Sequence, residues 1–356
     1  MISYILCYSY LAFNALKGSE KINNVSKLLF ITIFCFFIGF RHEIGVDWKN
    51  YLSLANNYKD LPIQSAFLSL EPGYGIINWI FSSFTWNIYF VNAVCSLIFL
   101  TCLITYAKKQ PYPWLTLLLS YPTLILILGM GYTRQSVALA FEFIAILALE
   151  EKKEIKGLVF ILLASSFHIS ILAVAILFIP NLIKNLFKVK YFLIFGSISL
   201  FILTLLSLKF NEAISLYLSF YVFNQFDLKL TSNGVFFRIL PSLISSLILI
   251  FNKYRFKYSY GEETRLYLRM SYLLVFLFFA IWFFPNQSTF IDRFALYLSP
   301  VTLYVFPRVV KLRLFNLTKL DYGLLFTTLY FFYTFLWLNF AIHANSWVPY
   351  KNIIFM

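Results

Sequence analysis

The sequence predicts an all-α polytopic membrane protein, with about twelve transmembrane helices plus one re-entrant short helix. Three observations carry that expectation. The 356 residues are 61% hydrophobic and only 12% charged, against about 25% charged in a soluble domain. Apolar runs of roughly 15–24 residues recur along the chain, near the length that crosses a bilayer as a helix. Those runs lack the polar–apolar alternation of a spanning β-barrel.

In chain order, apolar helices are expected over residues 2–16, 27–40, 88–107, 114–129, 133–150, 156–167, 168–180, 190–208, 235–251, 268–285, 294–310 and 322–342. The first is read as a retained short span rather than a cleaved signal. Residues 74–86 follow Pro72-Gly73 and are too short to span. They are expected to re-enter, with protein covering their ends. Residues 156–180 admit two readings: one span, or two short helices that turn near Ser165-Ser166-Phe167-His168.

Charge favours the pair of helices. With the N-terminus outside, residues 17–27, 107–113, 150–156, 181–190, 252–269 and 307–319 become inner loops that hold most of the 29 Lys and Arg residues. A single span moves the basic loop 181–190 outside, against the positive-inside bias. The expected organisation is one integral membrane domain over 1–356. Its outer face carries a first loop at 41–73 with the short helix running to 86, a second loop at 209–234, and a C-terminal tail at 343–356.

The net charge of +14 is read as these topological anchors and not as a nucleic-acid surface. Cys7, Cys35, Cys95 and Cys102 all lie in apolar runs without metal-ligand spacing, so no metal site is expected. No phosphate-binding glycine loop, zinc-protease motif or serine-hydrolase elbow occurs. No cofactor is expected.

The candidate functional residues are the ionisable groups at the mouths of outer-facing spans, where a charge is costly unless paired or in a wet cavity. In "RHEIGVDWKNY", Gly45 permits a turn that brings Arg41 and Asp47 to one site. The pair serves either an anionic ligand or an interfacial salt bridge. In "LSLEPGYGIIN", Glu71 precedes Pro-Gly and is either a helix cap or a base. In "GMGYTRQSVALAFEF", Arg134 opens a helix, where it either suits a phosphate together with the helix N-terminus or snorkels to lipid headgroups. Glu142, eight residues further on, is too far along the helix to pair with it. In "ASSFHIS", His168 sits at the turn and either takes a proton from a hydroxyl or bonds a turn carbonyl. Arg293 in "STFIDRFALY" repeats the logic of Arg134, and Arg238 in "GVFFRILP" is a further cation. The tail "SWVPYKN" either folds back over the site or anchors the chain by its aromatics.

Taken in order, "RHEIGVDWKNY", "EPGYGIIN", "TRQSVALAFEF", "ASSFHISIL", "DRFALY" and "WVPYKN" resemble the EpsG family of bacterial polysaccharide polymerases, within the wider Wzy-type O-antigen and capsule polymerases. The resemblance spans most of the chain. Trp48 stands where the family pattern usually has Tyr after the Asp. The resemblance implies a GT-C-like or Wzy-like bundle with outer-face loops. It further implies a metal-independent glycosyltransferase at the outer face of the bacterial inner membrane.

The implied donor and acceptor are undecaprenyl-diphosphate-linked glycans, with a separate chain-length regulator as partner, membrane lipids as surroundings and no nucleic acid. Under it, Arg41, Arg134 and Arg293, with Arg238 in reserve, meet the diphosphate electrostatically. His168, Asp47 and Glu71 are the candidates for activating the acceptor hydroxyl. A lipid-linked oligosaccharide flippase, or another membrane glycosyl- or acyltransferase, is the alternative expectation.

Overall fold

The computed structural model describes residues 1–178, 232 and 234–356. The expected span 190–208 lies outside the described residues, as does the loop 209–234 apart from Ser232 and Gly234. What is described is helical. Outside the helices, one isolated antiparallel bridge joins Arg41 to Asn352.

The helices follow the apolar runs. They are α1 (Ile2–Leu16), α2 (Asn24–Gly39), α3 (Trp48–Asn57), α4 (Ile63–Phe67), α5 (Pro72–Phe81) and α6 (Asn87–Ala107). Then come α7 (Pro113–Gly131), α8 (Thr133–Glu150), α9 (Glu154–Phe167) and α10 (Ile171–Ala175). The last five are α11 (Val235–Phe251), α12 (Lys253–Phe283), α13 (Ser288–Leu296), α14 (Pro300–Leu312) and α15 (Lys319–Phe340).

The expectation of about twelve transmembrane helices is overturned. Among the described residues, four helices are long and apolar enough to cross a membrane: α6, α7, α12 and α15. The reason is where the helices break. α1, α2 and α11 have 15, 16 and 17 residues, or about 22–26 Å at 1.5 Å per residue. A bilayer core is about 30 Å thick. The run 294–310 is cut between Leu296 and Pro300, because a residue before proline avoids helical backbone. The run 156–180 is not one helix: α9 stops at Phe167 and α10 covers five residues. Residues 72–81 form a ten-residue helix packed on α4 and α6.

The chain divides into two compact units. The first comprises Met1–Ile144, Leu162–Ile169 and Thr302–Met356. Its core joins α1, α2, α6, α7 and α15. Tyr4, Phe34, Phe37 and Tyr121 meet there edge-on, a favoured arrangement of aromatic quadrupoles. The Tyr121 hydroxyl donates to the Tyr4 carbonyl at 2.6 Å. α7 widens into a π-helical stretch at Tyr121–Leu128, around Pro122, where proline removes one helical hydrogen bond. Thr318 and Asp321 form a reciprocal capping box that starts α15.

The C-terminal tail folds back across this unit. His42 N–H donates to Lys351 O at 3.0 Å, Ile353 N–H to Phe40 O at 3.0 Å and Gly45 N–H to Ser346 O at 2.9 Å. The Trp347 indole donates to Leu126 O at 3.2 Å and meets Trp337 edge-on with centroids 4.8 Å apart.

The second unit comprises Ala145–Ile161 and Ser170–Val301. In it α11 packs along α12, and α13 packs against both. Tyr267 donates to the Glu150 carboxylate at 2.7 Å.

Trp347 is 2% exposed, so Trp347→Ala leaves a large cavity under the tail. A loss of about 3–5 kcal/mol is expected, read as a clear drop in the thermal unfolding midpoint in detergent, with Trp347→Phe falling less.

Candidate functional site

The loop after α2 is shaped by its glycine. Gly45 has φ +99°, and a Cβ there would lie 2.7 Å from Met130 O. Only glycine fits that left-handed backbone against the end of α7. The turn sends Arg41 inward, where it is 1% exposed. Its guanidinium donates to Ile38 O at 2.6 Å, to Thr133 Oγ1 at 2.9 Å and to Asn92 Oδ1 at 3.4 Å. Arg41 Nε has no hydrogen-bond partner. Every partner is neutral, so no carboxylate balances this cation. Burial pulls its pKa down to about 10, which leaves it charged at neutral pH.

Asp47 occupies the cap position of α3 without a side-chain cap bond. The expected meeting of Arg41 and Asp47 is absent from the Arg41 contacts. His42 instead hydrogen-bonds the Tyr89 hydroxyl at 2.6 Å.

Glu71 is the centre of the second layer. It stands at the cap position of α5, yet its side chain makes no cap bond. One oxygen accepts from Arg134 Nη1 at 2.6 Å, and the other lies 2.6 Å from His168 Nδ1. Glu71 is 7% exposed. Burial alone would raise its pKa; the charges and hydrogen bonds of His168 and Arg134 outweigh that and hold it below the ordinary carboxylate value.

Gly73 lets the pieces close. A Cβ there would lie 2.5 Å from Ser166 Oγ and 2.7 Å from a Phe167 ring carbon. The Glu-Pro-Gly turn therefore presses directly on the Ser-Phe-His turn that ends α9, and Glu71 meets His168 as a result.

Thr133 and Arg134 open α8 and serve the two layers in turn. The Thr133 hydroxyl takes the Arg41 bond and lies 3.3 Å from Asn92 Oδ1. Arg134 reaches Glu71, with its guanidinium 5.7 Å from the Tyr51 ring and 5.9 Å from the Tyr74 ring, within cation–π range. Its side chain is 36% exposed, against 8% for Glu71 and 11% for His168. The trio thus faces outward through the arginine. His168 is bonded through Nδ1 alone, which leaves Nε2 open. Glu142 is fully buried on α8, and neither carboxylate oxygen has a hydrogen-bond partner.

The second unit holds the other two candidates. Arg238 grips Asp292 through Nε at 2.9 Å and through a second, shorter contact from Nη2. Ser232 Oγ also donates to Asp292 at 2.9 Å. Arg293 is the next residue along α13 and is half-buried. Among the described residues, no group of three or more His, Cys, Asp or Glu side chains is placed to hold a metal.

The sequence model of the EpsG family matches residues 24–352. This chain belongs to the EpsG family. The match takes in every candidate residue from Arg41 to Arg293 and the tail through Asn352. No curated protein and no solved structure matches the chain.

Asn92, Thr133, Tyr51 and Tyr74 take part in the site and were not among the sequence candidates. Asn92 is a polar side chain in the middle of apolar α6, which is itself a signal of an internal role. Tyr51 lies one turn into α3 and carried no such signal.

The lowered Glu71 pKa has a direct consequence for stability. A carboxylate depressed in the folded state stabilises above its unfolded value, about 4.5, and loses that contribution as pH falls below it. The gap in thermal midpoint between the native chain and Glu71→Gln should be widest near pH 7 and shrink as pH falls through about 4.5. A gap constant from pH 7 to pH 3.5 would contradict the charged pairing.

Proposed function

We propose that this EpsG-family chain is a polysaccharide polymerase of the bacterial inner membrane. In this reading it is multi-pass, its site opens to the periplasmic or extracellular side, and it joins undecaprenyl-diphosphate-linked repeat units. The observation that carries the reading is the shared carboxylate. Glu71 holds a partly exposed arginine and a histidine with a free ring nitrogen, each at 2.6 Å.

The reaction needs two things from the protein. An acceptor hydroxyl must lose its proton as its oxygen attacks the anomeric carbon. The C–O bond to the diphosphate must break, with the electron pair leaving on the diphosphate oxygen. His168 Nε2 takes the proton as general base. Glu71 orients the ring by holding Nδ1, as a carboxylate does in a catalytic triad. Arg134 and the His168 Nδ1–H already satisfy Glu71, which makes it a positioning group rather than the base. Asp47 is the alternative carboxylate.

Arg134 has donors to spare beyond its Glu71 bond and stabilises charge that develops on the leaving diphosphate. Arg41, being buried, acts through Thr133 and by its field rather than by contact. Arg293 is the remaining candidate for the diphosphate. Arg238, held in both forks by Asp292, braces its own unit. The arginines supply the positive charge this step requires. A chain-length regulator as partner belongs to the same proposal.

The test is genetic and biochemical. Deletion should leave surface lipid capped by a single repeat unit. Arg134→Ala and His168→Ala should fail to restore long chains, with the polymerisation rate of His168→Ala down about 10²–10⁴-fold. A surface with no repeat unit at all after deletion would indicate transport instead. Normal chain lengths from both variants would remove the site.

A further inference from the structure

The far end of α5 carries a polar cleft that the site above does not use. It has a volume of about 490 Å³ and opens between that end of the helix and the turn after α3. Tyr58, Asp60, Leu61, Trp79, Ser82 and Ser83 are among the residues that line it. The volume is within the range of small-ligand sites, about 300–1,000 Å³.

The lining selects a chemistry. Among the described lining residues there is no lysine or arginine, which a phosphate would call for. An acyl chain would not suit an exposed carboxylate. A sugar ring matches what is there. Its C–H face packs on an aromatic ring, and its hydroxyls donate to a carboxylate and exchange hydrogen bonds with serines.

Asp60 supports the match. It is exposed, and its carboxylate makes no hydrogen bond or ion pair. Its backbone sits at φ +67°, a left-handed conformation that costs most residues about 1–2 kcal/mol. Aspartate tolerates that backbone, and its carboxylate stands at the rim of the cleft. Trp79 is half-buried, and its indole N–H donates to Leu61 O at 2.9 Å, so the turn fixes the ring's orientation. Tyr58 is anchored to the middle of α5: its hydroxyl lies 3.0 Å from where a Cβ on Gly75 would be.

α5 also sets the distance. Glu71 stands at the position before its first residue, and Trp79 lies eight residues on, about 12 Å along the axis. We propose that this cleft is a glycan subsite, which holds a non-reacting sugar of the lipid-linked saccharide about two helical turns from the reacting bond. The proposal rests on the polymerase reading for its ligand. Binding energy from such a remote sugar can be used to position the reacting end.

The experiment uses the purified full-length chain in detergent and oligosaccharides of one to four repeat units, released from the producing cells' own surface polysaccharide. Saturation-transfer NMR from protein to sugar protons reads binding. Asp60→Asn keeps the backbone conformation, because asparagine tolerates it, and should weaken binding about tenfold. Trp79→Ala should weaken it further, and Trp79→Phe less. In cells, Asp60→Asn and Trp79→Ala should still join repeat units but shift the glycan to shorter chains, whereas Arg134→Ala should stop joining altogether. Undiminished transfer in Asp60→Asn and Trp79→Ala overturns the subsite. Long chains from Arg134→Ala and His168→Ala, with transfer still lost in the cleft variants, would keep the subsite and remove the polymerase reading.

Discussion

Glu71 is a single carboxylate, almost wholly removed from water, that must be satisfied by groups from two other parts of the chain. An unpaired buried charge is far costlier than any one surface contact. Arg134 and His168 meet that demand, and in doing so they fix three elements. The start of α5, the start of α8 and the end of α9 have to converge within hydrogen-bonding distance. Gly73 makes the convergence possible, since any side chain there would hold the Glu-Pro-Gly turn away from Ser166 and Phe167.

Arg41 extends the arrangement one layer inward. It ties the end of α2 to α6 through Asn92 and to α8 through Thr133, and the tail closes over its backbone. Its partners are all neutral. Arg41, Arg134 and Glu71 together therefore carry one positive charge in excess. That excess is what the proposed diphosphate would meet, although the most exposed of these arginines is already paired.

The sequence told most about where helices lie and least about which are long. Apolar runs end at polar residues, so α6, α8 and α15 fall within a few residues of expectation. Run length does not report a break within a run, which is how Leu296–Pro300 went unread and why the count of membrane-crossing helices was too high; the break after Phe167 was the favoured reading of its run, on loop charge rather than on run length. The charged members of the site were legible because charges are scarce in this chain. Their pairing was not. Glu71 reads locally as a helix cap, and its turn toward His168 depends on a contact 97 residues away. Asn92 stood out as a polar residue in an apolar helix, but its partners did not: they exist only once α2 and α8 lie beside α6.

The Arg238–Asp292 and Arg134–Glu71 pairs differ in what they leave available. Arg238 spends both of its forks on Asp292, and the two side chains are 12% and 5% exposed. Such a bidentate pair is nearly closed to a further ligand, and its charges cancel. Arg134 gives Glu71 one nitrogen and keeps 36% of its side chain exposed. Glu71 in turn divides itself between a cation and a histidine. An anion that reaches Arg134 competes for the bond to Glu71, and any weakening of that bond shifts the carboxylate's negative charge toward His168 Nδ1. In the proposed reaction, one carboxylate thereby connects the arginine that meets the diphosphate to the ring that takes the proton.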